Sequence, residues 1–401
     1  MSRLADLRFV ETLPVGVRHI RDGVAIPAPS EAALRVYRYI LLQGSQDLLY
    51  PFWRDVVDRD TGEITGKRSE FRVSVCGRTA LEHDVPVYRN AKGGVGIGGV
   101  LRCGNVWGCV FCCAKVMRRR AEQIGALFEA IHAEGGGAVM VTFTCAHRLD
   151  DSLALMLEKF KSAQRTLSQS RQFRALAESR SGACVATEIK WSPRNGWHPH
   201  QHQAWFFPRP LSSDETELLS ASLFPVWQSA LLKHGLDCRE FFKDRRVGVD
   251  VRPAWDASEY LAKFDRERDW SLSAEMTAGR LKTGGSQSLT PWAILEDAIQ
   301  RGRESQAFTL WLEYLRATKG KSCISMKAAA PLLRRFDLPV TFDDIEDANA
   351  QGESSIITRV GRVEFESIVK AGGMGKFLEA ARSGGAEAVE HIAQNIDWSF
   401  S

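Results

Sequence analysis

The chain has 401 residues, 44% of them hydrophobic and 25% charged, the composition of an ordinary globular protein long enough for two or three domains. No run of about 18 apolar residues occurs, which argues against a helical membrane span and a membrane partner. The mixed polar N-terminus does not read as a secretion signal, so a cytoplasmic protein with reduced thiols is expected. The net charge of +4 hides an asymmetry: residues 336–401 hold 5 Lys+Arg against 12 Asp+Glu, which leaves +11 on residues 1–335. A basic body with an acidic tail fits a polyanionic partner, although the same excess also serves a merely solvated surface.

In chain order, apolar spacing at Leu34, Val36, Tyr37, Ile40 and Leu41 predicts a helix over about Glu31 to Leu49. Asp60-Thr61-Gly62 reads as a turn. Residues 70–115 hold five of the nine cysteines. A helix from about Lys115 to Ala133 opens with Lys115, Arg118, Arg119 and Arg120; part of this set is a candidate for phosphate contact, and a plain solvated face is the competing reading. Ala138 to Cys145 is a strand, Ser152 to Glu178 helical, Ala183 to Trp191 a strand, Ser192 to Gly196 a turn, and Trp197 to Phe207 the returning strand. Glu215 to His234 reads helical, Val247 to Val251 as a strand stopped by Pro253, and Ala254 to about Phe264 as a helix. Pro291 to Arg316 reads as one helical stretch, and the acidic tail contains a β-like run from Ser355 to Val360. This order predicts an α+β protein, an antiparallel sheet with flanking helices.

Alternate side chains of a strand share a face, so His198, His200 and His202 project together. Three imidazoles on one face are costly to bury unpaired and well suited to a divalent metal. Glu188 is the acid of the facing strand and would complete a mixed imidazole–carboxylate site for Mn²⁺ or Mg²⁺, or for Zn²⁺. On the following helix Asp256, Tyr260 and Lys263 share one face. A tyrosine beside a cation and a metal can act as a nucleophile, and in a basic protein a DNA phosphodiester is the fitting electrophile. Asp256 or Glu259 could then activate water or a hydroxyl.

Cys103, Cys109, Cys112 and Cys113 fall within eleven residues. Cys109 and Cys112 form the C-x-x-C half of a structural Zn²⁺ site, and Cys103 adds a third ligand. The fourth is Cys76 or Cys113; Cys76 is preferred because the adjacent Cys112 and Cys113 point apart. The remaining cysteines read as small buried residues. Gly94 to Gly99 matches a dinucleotide fingerprint but leads into a cysteine cluster rather than a helix, and Gly320-Lys321-Ser322 lacks the first glycine of a phosphate loop. No ATPase motor is legible.

Val139 to Thr144, Gly196 to His202 and Glu259 to Lys263 together resemble, in order, the three motifs of rolling-circle plasmid replication initiators of the single-tyrosine His-hydrophobic-His (HUH) endonuclease superfamily. The resemblance spans about residues 70–330. It implies a ferredoxin-like (RRM-like) core, a zinc-binding element before it and a mostly helical region after it. The corresponding division is 1–70 (helical region), 71–135 (cysteine-rich element and basic helix), 136–320 (endonuclease domain) and 321–401 (acidic region). It implies His200 and His202 as metal ligands with His198 in support, Tyr260 as nucleophile with Lys263 as companion, and Asp256 as the acid of the terminating step. It implies as partners plasmid origin DNA, single-stranded or in a hairpin, together with a host helicase and a single-strand-binding protein. Oligomeric state is left open. Gln201 departs from the apolar residue usual between the paired histidines, and Asp256 from the more common Glu, which keeps Glu259 in contention. An HUH-type transposase and a non-catalytic zinc-containing nucleic-acid-binding regulator are the alternative readings.

Overall fold

The computed structural model describes residues 20–21, 24–25, 31–89, 95–242, 245–254, 288–340 and 355–394. In chain order these form α1 (Glu31–Leu48), the hairpin β1 (Trp53–Val57) and β2 (Ile64–Ser69), β3 (Asp84–Arg89), β4 (Val95–Ile97) and α2 (Val110–Ala133). Then come β5 (Gly137–Thr144), α3 (Leu153–Gln169), α4 (Arg171–Leu176), β6 (Gly182–Ser192), β7 (Gly196–Phe207), α5 (Ser213–Leu232) and β8 (Val249–Ala254). The rest comprises α6 (Pro291–Arg301), α7 (Gln306–Thr318), β9 (Ile324–Ser325), α8 (Ala330–Arg335), β10 (Ser355–Gly361), α9 (Arg362–Lys370), α10 (Met374–Ser383) and α11 (Gly385–Gln394). The chain is thus α+β with antiparallel sheets. Asp256, Glu259, Tyr260 and Lys263 lie outside the described residues.

The central sheet has the order β8-β5-β7-β6-β9, every pair antiparallel. One face of β7 carries Trp197, Pro199, Gln201, Gln203 and Trp205. Phe143 of β5 lies on that side, since it pairs with Gln201, and it meets Trp227 of α5 edge-on at 5.3 Å. Phe160 of α3 packs on the same indole at 5.2 Å, and Trp227 Nε1 donates to the Thr144 carbonyl at 2.8 Å. The opposite face carries His198, His200, His202, Ala204 and Phe206; α2 covers its far end through Phe128, 5.1 Å from Phe206.

The start of β7 is held from outside the sheet. Trp197 stacks on Tyr314 of α7 at 6.0 Å and donates its indole N–H to Glu313 Oε2 at 2.8 Å. Glu313 Oε1 accepts from the Leu153 amide, at the first residue of α3, which satisfies one of the helix's orphan donors. One carboxylate therefore ties three elements together.

A second core joins β3, β4 and β10 to α9, α10 and α11, with Val85, Val87, Phe365 and Phe377 fully buried. The β-like run at residue 355 is therefore not a separate tail feature: it pairs with β3 and brings the acidic region back onto residues 84–97. α1 serves both cores, Tyr37 facing the first and Tyr39 the second.

Three sequence expectations need correction. The strand expected to stop before Pro253 continues to Ala254, because β8 is an edge strand, where a missing N–H breaks no ladder. The stretch from Pro291 is two helices, separated where Gly302 adopts φ 81° and Ser305 caps the next helix by accepting from the Phe308 amide. The stretch from Ser152 is likewise split, at Ser170, whose hydroxyl accepts from the Phe173 amide.

The β6–β7 connection is the three-residue loop Pro193-Arg194-Asn195 followed by Gly196 at φ 74°, the left-handed position such a loop demands. A Cβ on Gly196 would stand 2.6 Å from the Arg148 carbonyl oxygen. Gly196→Ala is expected to destabilise the protein by roughly 1–3 kcal/mol, measured as a lowered urea midpoint.

Candidate metal centres

Register places the first centre. Glu188 of β6 pairs with His200 of β7, and His202 pairs with Thr142 of β5. All four residues point to one face. Glu188 Oε2 lies 2.6 Å from His200 Nε2 and 3.4 Å from His202 Nε2. Ligand atoms of Glu188, His200 and His202 all lie within 4.8 Å of one another. Thr142 Oγ1 sits 3.0 Å from His202 Nδ1 and orients that ring. His200 Nδ1 faces the His198 carbonyl at 3.4 Å; the tautomer that donates there turns an Nε2 lone pair towards the carboxylate. Two acceptors so close require a proton or a metal between them, and two imidazoles with one carboxylate are a fitting donor set for a divalent ion.

Burial alone would push the Glu188 carboxyl up. Hydrogen bonds with His200 and His202, and the charges of His200 and Lys190, outweigh it and hold the group far below the usual carboxylate range. His198 stands outside the three-ligand cluster. Its ring stacks on His147 at 4.5 Å with 14° between the planes, and lies 5.0 Å from His200. Burial first, then His200, His147 and Lys190, push His198 down to about 3, so it is a neutral ring at physiological pH.

Two side chains at this centre were passed over in the sequence. Lys190 places Nζ 2.9 Å from Glu188 Oε1; its signal was the i+2 spacing from Glu188, which fixes it on the same face. His147 follows β5 in a loop and carried no periodic signal. Gln201 lies on the opposite face, so it bears on helix packing and not on the metal. Trp205 Nε1 donates to Gln203 Oε1 at 2.8 Å, and Gln203 Nε2 donates to Gln201 Oε1 at 2.7 Å. The three form a hydrogen-bonded polar ladder beneath the helical layer.

The second centre is the buried set Cys76, Cys103, Cys109 and Cys112. Sγ separations are 3.5 Å for Cys76–Cys109 and 3.7 Å for both Cys76–Cys112 and Cys103–Cys112. A disulfide needs about 2.05 Å, whereas four thiolates about 2.3 Å from a tetrahedral zinc stand about 3.8 Å apart. Shared S–H···S hydrogen bonds, led by that of Cys103, hold Cys76 and Cys112 below the thiol range and, with burial, leave Cys109 well above it. The surroundings expect negative charge: Arg102 Nη1 is buried without a hydrogen-bond partner. Burial lowers the Arg102 pKa, but Tyr39, Cys76 and Cys112 together raise it above its ordinary value. Both observations fit a zinc–thiolate cage. Cys76-Gly77 and Cys103-Gly104 are matched knuckles, each glycine at positive φ (70° and 64°). That repeated Cys-Gly pair was a further signal for Cys76 over Cys113.

α2 leaves directly from this cage, with Cys109 at its N-cap. Arg118 is exposed and lies 3.9 Å from Glu122, Arg119 is half-buried, and Arg120 is half-buried with Nη1 donating to Gln123 Oε1 at 2.5 Å. The three arginines therefore do not form one basic face.

No family model and no solved structure matches the chain. It is 28% identical over 304 residues to a curated protein named "Protein rep" from Streptomyces lividans, covering 60% of this chain and 65% of that relative. It is 26% identical over 140 residues to a "Neomycin resistance protein" from Streptomyces cyanogenus, covering 28% of this chain and 32% of that one. The chain thus spans somewhat under two thirds of the first relative's length and about one third of the second's.

Metal analysis tests the cysteine cage independently of activity. The purified protein is expected to contain zinc in equimolar amount by plasma mass spectrometry. Cys109→Ser should lose that zinc and melt at a lower temperature, while His200→Ala should keep it.

Proposed function

We propose that the chain is a plasmid replication initiator of the HUH type, which nicks one DNA strand through Tyr260 and later rejoins it. The observation that carries this reading is the convergence of Glu188, His200 and His202 on one sheet face. The similarity to a protein named Rep supports it. The nicking machinery would occupy residues 136–320, behind the zinc-binding element of 71–135.

Chain length permits the tyrosine to reach the site. Asp250 of β8 pairs with Thr142, the residue beside His202, and Ala254 ends β8 beside Ala138. Those four strand residues cover about 13 Å, and the six residues from Ala254 to Tyr260 can span up to about 20 Å. A return over the histidine face is therefore within reach.

A divalent ion held by Glu188, His200 and His202, whether Mn²⁺, Mg²⁺ or Zn²⁺, would supply Lewis-acid stabilisation of charge on phosphate. The tyrosine oxygen attacks phosphorus, the phosphorus–O3′ bond breaks, and the 5′-phosphate remains on Tyr260 while the 3′-hydroxyl leaves with a proton. Lys263, three residues on in sequence, stabilises the phenolate. Asp256 or Glu259 takes the proton from the hydroxyl that later attacks the phosphotyrosine and restores the diester. Neutral His198 braces His200 from the side away from His202. Arg118, exposed on α2, is a candidate phosphate contact. With no ATPase motif in the sequence, unwinding falls to a host helicase, with a single-strand-binding protein on the displaced strand.

Incubating the protein with single-stranded origin DNA and Mn²⁺ should yield a denaturation-resistant protein–DNA adduct. Tyr260→Phe should abolish it, and His200→Ala should slow cleavage at least about 100-fold, given the several kcal/mol a Lewis acid contributes. Failure to form an adduct on any replication origin of the host plasmid would sink the nickase reading; retention of every activity by Tyr260→Phe would favour the regulator.

A further inference from the structure

A two-stranded ribbon stands apart from both cores. No residue of β1 or β2 is buried, and along most of their length both faces are exposed. A ribbon with neither face against a core is marginal by itself, so its root must hold it. Phe52 meets Phe71 edge-on at 5.5 Å, the Arg316 guanidinium lies over the two rings at 5.5 and 5.8 Å, and Glu70 Oε1 accepts from Arg316 Nε at 2.9 Å. Arg316 belongs to α7, less than one turn from Glu313 and Tyr314, which hold Trp197 at the start of β7. The ribbon and the histidine strand are therefore moored to one turn of one helix.

Register sorts the ribbon's charges. Arg54 pairs directly with Arg68, and Val56 with Gly66, so these four share one face. Asp55 and Lys67 pair on the other face, with Lys67 Nζ 4.0 Å from Asp55 Oδ1. One face is thus neutral, and the other carries two exposed arginines and no acid. Among the described residues neither Arg54 nor Arg68 is in an ion pair; Glu70 feels the Arg54 charge but is bonded to Arg316. Like charges directly opposite one another destabilise a ribbon, and an anion lying over both relieves the repulsion. At the tip, Asp58 Oδ1 accepts from the Asp60 and Thr61 amides, and Asp60 and Glu63 are exposed, so the face attracts anions only in its root half. We propose that the Arg54–Arg68 face of the ribbon binds the phosphate backbone of duplex DNA. A two-stranded ribbon fits the major groove. Gly66, with nothing within 4 Å of where its Cβ would stand, leaves the backbone open to close approach. Single strands are gripped largely by stacked aromatic rings, and this face offers only Val56 and Gly66 beside its arginines. DNA as the polyanion rests on the nickase reading, with the ribbon holding duplex next to the strand that is cut.

The double variant Arg54→Gln/Arg68→Gln tests this by fluorescence anisotropy on a random-sequence duplex of about 20 base pairs and on one of its strands alone. Duplex affinity should fall at least about tenfold, as for lost charge-assisted contacts. The slope of log K against log salt, taken between about 50 and 200 mM, should lessen by about two. The single strand should lose less than about threefold. The melting temperature should hold or rise, because the cross-strand repulsion has gone. Arg54→Lys/Arg68→Lys keeps both charges and should restore most of the duplex affinity. Unchanged duplex affinity would overturn the proposal, as would an equal loss on the single strand. So would a lower melting temperature in the Gln variant with no recovery in the Lys variant, which would make the arginines mere props of the ribbon. None of these readouts needs strand cleavage. A protein that shows the expected losses but never forms an adduct would refute the nickase reading alone, and one that forms the adduct with unchanged duplex affinity would refute the ribbon's role alone.

Discussion

The candidate metal centre of Glu188, His200 and His202 depends on one constraint, the pairing register of β6 and β7. Glu188 stands opposite His200 only because Ser192 stands opposite Gly196 at the turn, both pairs belonging to one ladder of eleven in unbroken register. A slip of one residue would send His198, His200 and His202 to the helix-covered face and bring Gln201 and Gln203 out. The helix-covered face and the turn both resist that slip. On the helical side, Trp197, Trp205 and Gln203 are buried and hydrogen-bonded, and Gln201 is half-buried. At the turn, Gly196 supplies a backbone conformation that few other residues accept. The polar ladder is therefore part of what places the histidines, although it never approaches them.

The centre's electrostatics follow from the same register. Alternation puts Glu188 and Lys190 on one face of one strand, so the carboxylate cannot approach the imidazoles without the ammonium alongside. The stacked, neutral His198 adds no charge. Without Lys190, the trio would be an ordinary chelator with one negative charge. With it, the carboxylate is shared, Oε1 facing the ammonium and Oε2 the two imidazoles.

Legibility in the sequence divides along physical lines. Alternation and turn chemistry are local, so β5, β6, β7 and the face shared by Glu188, His200 and His202 could be read directly. The Cys109-x-x-Cys112 spacing was equally local, and Cys76 followed from simple geometry. What escaped was set by partners distant in the chain. Pro253 looked like a strand terminator because its edge position is a property of the sheet. Gln201 looked anomalous because its partner Gln203 sits on a face whose covering helices come from elsewhere. Glu313, which ties Trp197 to the first residue of α3, looks in the sequence like any surface acid of an amphipathic helix. The pairing of residues 355–361 with 84–89 joins segments about 270 residues apart, and no periodicity announces such a contact.

The cysteine cage belongs to the same mechanical chain. Gln46 of α1 is buried and donates Nε2 to the carbonyls of Val73 and Cys76, while its Oε1 accepts from Arg78 Nε. It thereby fixes the knuckle that carries the first thiol. Cys109 and Cys112 lie at the start of α2, and more than about four turns beyond them Phe128 meets Phe206 on the histidine face. A helix is stiff over that length, so the cage sets the direction in which α2 crosses the sheet. If the cage opened, the loss would be transmitted to the far end of the same face that holds His200 and His202. The cysteine cluster is therefore coupled to the histidine face through one helix, with no residue shared between the two candidate centres.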